Sequence, residues 1–209
     1  ILTGAGERAF SAGADLKEAA QRVPEAQRAV FWAEPSESPL EIGRELWKPV
    51  IAAINGYALG GGLTLALSCD VRIAVPQAQL GFPEVRWGVP TIVGAIRLPR
   101  LVPLGVALEI LLTGDTIDAE QAARWGLVNQ IVPSDDLMPA AERIAGRLLQ
   151  SAPIAVRVTK EMALRGLTLP QADAVRLGES LRRLVRETAD AAEGPRAFAE
   201  KRPPHYQGR

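Results

Sequence analysis

Three consecutive glycines, Gly60, Gly61 and Gly62, run without a break into Leu63-Thr64-Leu65-Ala66-Leu67. Glycine costs chain entropy, so such a run marks backbone that another group approaches closely or that takes a positive φ. The residues behind it are good helix formers. That places the glycines at a helix N-terminus, where the first amides lack intrahelical acceptors and the dipole is positive. A turn of this kind suits a phosphate or a developing oxyanion. Upstream, Val50 to Ile54 is a short β-branched apolar run, read as a buried strand that delivers the chain to the turn. Downstream, Val71 to Val75 reads as a strand, Pro76 as a turn and Gln79 to Phe82 as a second short strand. Pro83-Glu84 follows, a carboxylate at a strand end. Its neighbours Phe82, Pro83, Val85 and Trp87 are apolar and would desolvate it, which suits a carboxylate to base duty.

A second glycine-rich loop opens the chain. Residues 1–17, ILTGAGERAFSAGADLK, read as a strand, a loop, and a helix capped by Asp15 with Glu18 as the capping-box partner. Within it, Gly4-Ala5-Gly6-Glu7-Arg8-Ala9 mimics the GxGxxA fingerprint of dinucleotide sites. That motif needs a helix to open inside it and an acidic residue after a second strand. Here the helix start falls later, at Gly13 to Asp15, and the acidic residue is missing, so a dinucleotide site is set aside.

The AGAD and ALGGG loops, the Pro83-Glu84 pair, the stretch LLTGDTIDAEQAARWGLVNQIVP and the tail AEGPRAFAEKR fall in one order. In that order they resemble the enoyl-CoA hydratase/isomerase (crotonase) family over essentially the whole chain. The tail and Ala119 to Val132 are most similar to its carnitinyl-CoA dehydratase branch. The resemblance implies an α/β fold: a crotonase-type spiral of ββα units in two sheets over residues 1–133, then a helical trimerisation module over 134–209. It implies that the amides of Ala14 and Gly61 form an oxyanion hole for an acyl-CoA thioester and that Glu84 is the catalytic carboxylate. Arg8, Ser11, Ala12, Asp15, Leu16, Lys17, Gly60, Gly62, Thr64 and Trp87 would line the CoA and substrate site. Phe198 and Lys201 would reach the CoA of a neighbouring subunit in a trimer or dimer of trimers. Coenzyme A is then part of the substrate, with no separate cofactor and no metal.

Two positions depart from the family pattern. Hydratases of the family typically carry a second glutamate where this chain has Thr64. A threonine hydroxyl can position water but does not exchange protons near neutral pH. The segment Gly88 to Gly94 also lacks the usual glycine-rich run. Three readings follow: an enoyl-CoA hydratase, a single-glutamate isomerase that shifts a double bond, or an acyl-CoA-binding protein with impaired catalysis. Glu37 and Glu41 are the carboxylates that would replace the missing one.

Composition narrows the partners. The 24 basic and 24 acidic residues cancel, so nothing in the charge balance favours nucleic acid or an anionic membrane. The single cysteine, Cys69, excludes an internal disulfide and reads as a buried thiol. The only histidine, His205, lies in a proline-rich tail, an improbable setting for a catalytic triad or a metal. No signal peptide and no apolar run of about eighteen residues appears, which points to the cytoplasm. Arg outnumbers Lys and Ala, Gly and Pro are abundant, a bacterial, GC-rich signature. The chain opens on Ile1 in mid-strand, so further strands are expected before it.

Overall fold

The computed structural model describes residues 1–15 and 46–209. The body of the helix expected after Asp15 lies outside the described residues, as do Leu16, Lys17, Glu18, Glu37 and Glu41. The chain divides into two compact units. One holds Val50–Ala141 with the opening residues, and the other holds Glu142–Arg209 with the short stretch ahead of Val50.

The first unit is built on two four-stranded sheets. One has the order β1 (Leu2–Thr3), β3 (Ile51–Ile54), β5 (Val71–Ala74), β8 (Gln130–Ile131), with every neighbour parallel. The other runs β2 (Ala9–Ser11), β4 (Tyr57–Leu59), β6 (Gln79–Gly81), β7 (Thr116–Asp118) and is parallel up to β6, with β7 antiparallel at its end. From β1 to β6, consecutive strands alternate between the sheets, so each pair of strands adds one rung to each. This is the expected spiral. Central strand β3, Ile51-Ala52-Ala53-Ile54, is buried at all four residues, as a parallel strand covered on both faces must be.

Helix α1 (Gly61–Leu67) follows β4 and places the glycines where the sequence put them, with Gly60 at its N-cap. After β6 the chain makes a 3₁₀ turn, Pro83–Trp87. Pro83 enters at the first turn, where its missing N–H costs nothing. Helices α2 (Val93–Arg97) and α3 (Leu104–Thr113) follow, and α4 (Ala119–Arg124) opens on a capping box: Asp118 Oδ1 accepts from Gln121 N at 2.7 Å and Gln121 Oε1 from Asp118 N at 3.2 Å. Arg72, read as part of an apolar strand, is buried in β5. Its guanidinium donates to the carbonyls of Leu127 and Cys69 at 2.6 and 2.7 Å, and burial pushes its pKa down from the usual arginine range. Cys69 is buried, as expected.

The other unit is helical. Helix α5 (Leu137–Leu149) leads into it, followed by α6 (Pro153–Arg165), α7 (Gln171–Arg186) and α8 (Ala189–Ala199). The C-terminal tail folds back on α8. Buried Asp190 accepts from the amides of Gln207 and Gly208 at 2.6 and 2.8 Å, while the carbonyl of Arg209 accepts from Ala189 N at 2.9 Å. Among the described residues, no helix is long and apolar enough to cross a membrane.

Candidate active site

The two glycine loops meet. Gly13 takes φ +84°, and a Cβ built on it would lie 2.9 Å from the Leu59 carbonyl and 3.0 Å from the Gly61 amide nitrogen. Gly62 faces β2 even more closely, with a Cβ there falling 2.0 Å from the Ser11 carbonyl oxygen. Only glycine fits either place, because backbone, not a yielding side chain, occupies the space. Ser11 Oγ accepts from Gly13 N at 3.3 Å, which tightens the first loop where it passes the second. Ala14 and Gly61 are both exposed beside this crossing. The first intrahelical bond of α1 runs from Thr64 N to Gly60 O, so the Gly61 amide has no acceptor within the helix.

Glu84 completes the group. A Cβ on Gly60 would lie 3.1 Å from Glu84 Oε1, so the carboxylate sits directly against the second loop. Its Oε2 is buried and has no hydrogen-bond partner among the described residues. A buried polar atom left unpaired costs about 1–3 kcal/mol, and more for a charge, so it is retained where a ligand or reaction uses it. The expected desolvation is half met. Phe82 is fully buried beneath the turn, but Val85 and Trp87 are exposed, Trp87 by 60%. A 3₁₀ turn sends successive side chains around its axis, so the strand-end reading overstated how many of them face one way.

The other anticipated contacts divide. Arg8, Ala12 and Asp15 are exposed along the first loop, Gly60 and Gly62 are buried in the crossing, and Thr64 is buried one turn into α1. Phe198, 87% exposed, and Lys201, with φ 53°, belong to the helical unit. The dinucleotide look-alike is a plain β1–β2 connection in which no helix opens.

Asn55 joins the site without being singled out by its sequence motif. Buried after β3, it accepts from Gly4 N at 3.1 Å and donates to the carbonyls of Gly4 and Gly6 at 3.2 and 2.6 Å. It thereby ties the start of the first loop to the strand that leads into the second. Its place directly before Gly56, between a buried strand and a turn, was the available signal.

Two backbone loops pressed together beside a carboxylate whose buried oxygen has no partner among the described residues are the makings of an enzyme site for a substrate that develops negative charge. The chain belongs to the enoyl-CoA hydratase/isomerase family, whose model matches residues 1–209. It is 44% identical to carnitinyl-CoA dehydratase of Citrobacter koseri, across the whole of this chain and 81% of that one. It is 39% identical to (E)-benzylidenesuccinyl-CoA hydratase of Thauera aromatica, across all of this chain and 80% of the relative. The solved structure of enoyl-CoA hydratase from Bacillus anthracis superposes with a TM-score of 0.89 at 41% identity, covering 99% of this chain and 80% of that one.

Proposed function

We propose that the protein adds water to, or removes it from, the carbons adjoining an acyl-CoA thioester, with Glu84 as the proton-transferring group. The observation that carries this reading is the contact of the Glu84 carboxylate with Gly60, at the crossing where Gly13 meets Gly61. In the hydration direction, Glu84 accepts a proton from water as its oxygen bonds to the β-carbon. The electron pair moves to the thioester oxygen, which the Ala14 and Gly61 amides hold as an enolate. The same proton, now on Glu84, then passes to the α-carbon. One water is consumed, one C–O and one C–H bond form, and Glu84 returns to its starting state. Thr64, where a second carboxylate is common, would orient the water and leave proton exchange to Glu84.

Relatives named as a hydratase and a dehydratase, at 39% and 44% identity, support this reaction, and a double-bond shift is not needed to account for the site. Coenzyme A enters as the thioester half of the substrate, along the loop of Arg8 to Asp15. The helical unit leaves Leu149, Leu167, Val175, Leu184 and Phe198 exposed on a single chain. An apolar surface of this kind fits a homo-oligomer, a trimer or dimer of trimers, in which Phe198 and Lys201 serve a neighbour's CoA.

The test is incubation with a panel of 2-enoyl-CoA and 3-enoyl-CoA thioesters, followed by mass analysis. Products heavier than a 2-enoyl-CoA by one water are expected. Conversion of 3-enoyl to 2-enoyl thioesters with no water added to any of them would contradict the proposal.

A further inference from the structure

The turn that carries Glu84 takes no hold from the buried carboxylate oxygen, Oε2, among the described residues. The bonds that close the turn, Gly88 N to Val85 O and Val89 N to Glu84 O, are long at 3.3 Å. The firmer hold comes from two residues further on. Arg86 Nε donates to the Thr113 carbonyl at 3.0 Å, and the same guanidinium pairs through Nη2 with Asp115 Oδ1. These acceptors flank Gly114, where α3 passes into β7, and a Cβ on Gly114 would lie 3.1 Å from Arg86 Cγ, so the arginine stem lies against that bend.

The bend is itself braced. Thr113 Oγ1 donates to Glu109 O at 2.7 Å and accepts from Asp115 N at 3.1 Å, and Gly114 N donates to Ile110 O at 3.2 Å. Strand β7, which follows, pairs with β6, and Gly81 of β6 stands opposite Thr116. The chain therefore makes a closed loop of contacts: β6 to the Glu84 turn, the turn through Arg86 to the α3–β7 bend, and the bend through β7 back to β6.

We propose that Arg86 is a positioning residue for Glu84, its two-point grip on Thr113 and Asp115 setting where the carboxylate stands over Gly60. The inference rests on the reading of Glu84 as the base. A carboxylate that must move protons cannot also spend its oxygens anchoring its own turn, so the anchor lies on a neighbour that points away from the reacting atoms. With 51% and 66% of their side chains exposed, Arg86 and Asp115 contribute little to stability as an ion pair. The planar guanidinium instead contributes direction, since it fixes an orientation that a point charge does not.

The experiment compares wild type, Arg86→Ala, Arg86→Lys, Asp115→Asn and Glu84→Gln. Steady-state hydration is measured on 2-butenoyl-CoA, or on whichever 2-enoyl-CoA the wild type hydrates fastest, with thermal melts alongside. Arg86→Ala should lower kcat about ten- to hundredfold with KM held within about twofold, because a misplacement of ~1 Å can cost 10²-fold in rate. Arg86→Lys, able to reach one acceptor but not to form the fork, should fall between it and wild type. Asp115→Asn should lower kcat in the same direction. Wild-type kcat in Arg86→Ala beside a dead Glu84→Gln would overturn the positioning role alone, as would a raised KM at unchanged kcat. Full turnover by Glu84→Gln would instead remove the base on which the inference rests.

Discussion

At Gly62 no side chain can be admitted without moving backbone, because the position a Cβ would take is 2.0 Å from the Ser11 carbonyl oxygen. Gly62→Ala must therefore push β2 and α1 apart, carrying the first loop away from Gly61. Overpacking of this kind typically costs about 1–3 kcal/mol. The displaced donors should cost more in rate than in fold, with kcat falling about 10²-fold. A melt together with steady-state kinetics checks both, and an alanine variant with unchanged kcat would contradict the reading. Much at this scale was legible in advance. Glycine runs announce close approach, and Gly13, Gly60 and Gly62 all met it. Asn55 and Arg86 were not legible, because their roles come from partners 49 to 51 and 27 to 29 residues away in the chain. Arg72 escaped in part for the same reason: of the two carbonyls that its guanidinium reaches, that of Leu127 lies 55 residues away, while that of Cys69 is three residues back.

At the scale of elements, the tail closes on α8 through charge. Glu193 accepts from Arg202 at 2.5 and 3.0 Å and from the His205 amide at 2.9 Å. The Arg202 hydrogen bond, then the His205 amide, hold its carboxyl at about 2, below the ordinary 4.5. A carboxylate with a depressed folded-state pKa adds stability above its unfolded value and loses it as pH falls through the folded one. The melting temperature of the wild type should thus drop between pH 4.5 and 2 more steeply than that of Glu193→Gln. Parallel acid titrations of the two melts would contradict the role of this contact. Helix α1 was legible from the helix formers behind the three glycines. Strands β2, β4 and β7 were not, since segments of three residues owe their existence to the sheet they join rather than to a pattern of their own.

At the scale of the molecule, the single chain leaves apolar side chains of the helical unit in water, among them Leu149, Leu167 and Leu184. Sedimentation should show a trimer or its multiple, and replacing Leu167 and Leu184 by Gln should shift it toward monomer; a wild-type monomer would contradict both the assembly and the shared role of Phe198 and Lys201. For Glu84, the most direct measurement pairs rate with affinity in one variant. Glu84→Gln keeps the shape of the side chain and removes only its capacity to accept and return a proton. Its hydration rate should fall by about 10²–10⁴, the usual worth of a general base. Its affinity for a saturated acyl-CoA, followed by calorimetry, should stay at the wild-type value. Wild-type turnover in Glu84→Gln, with the same affinity, would show that the proton is moved by another group.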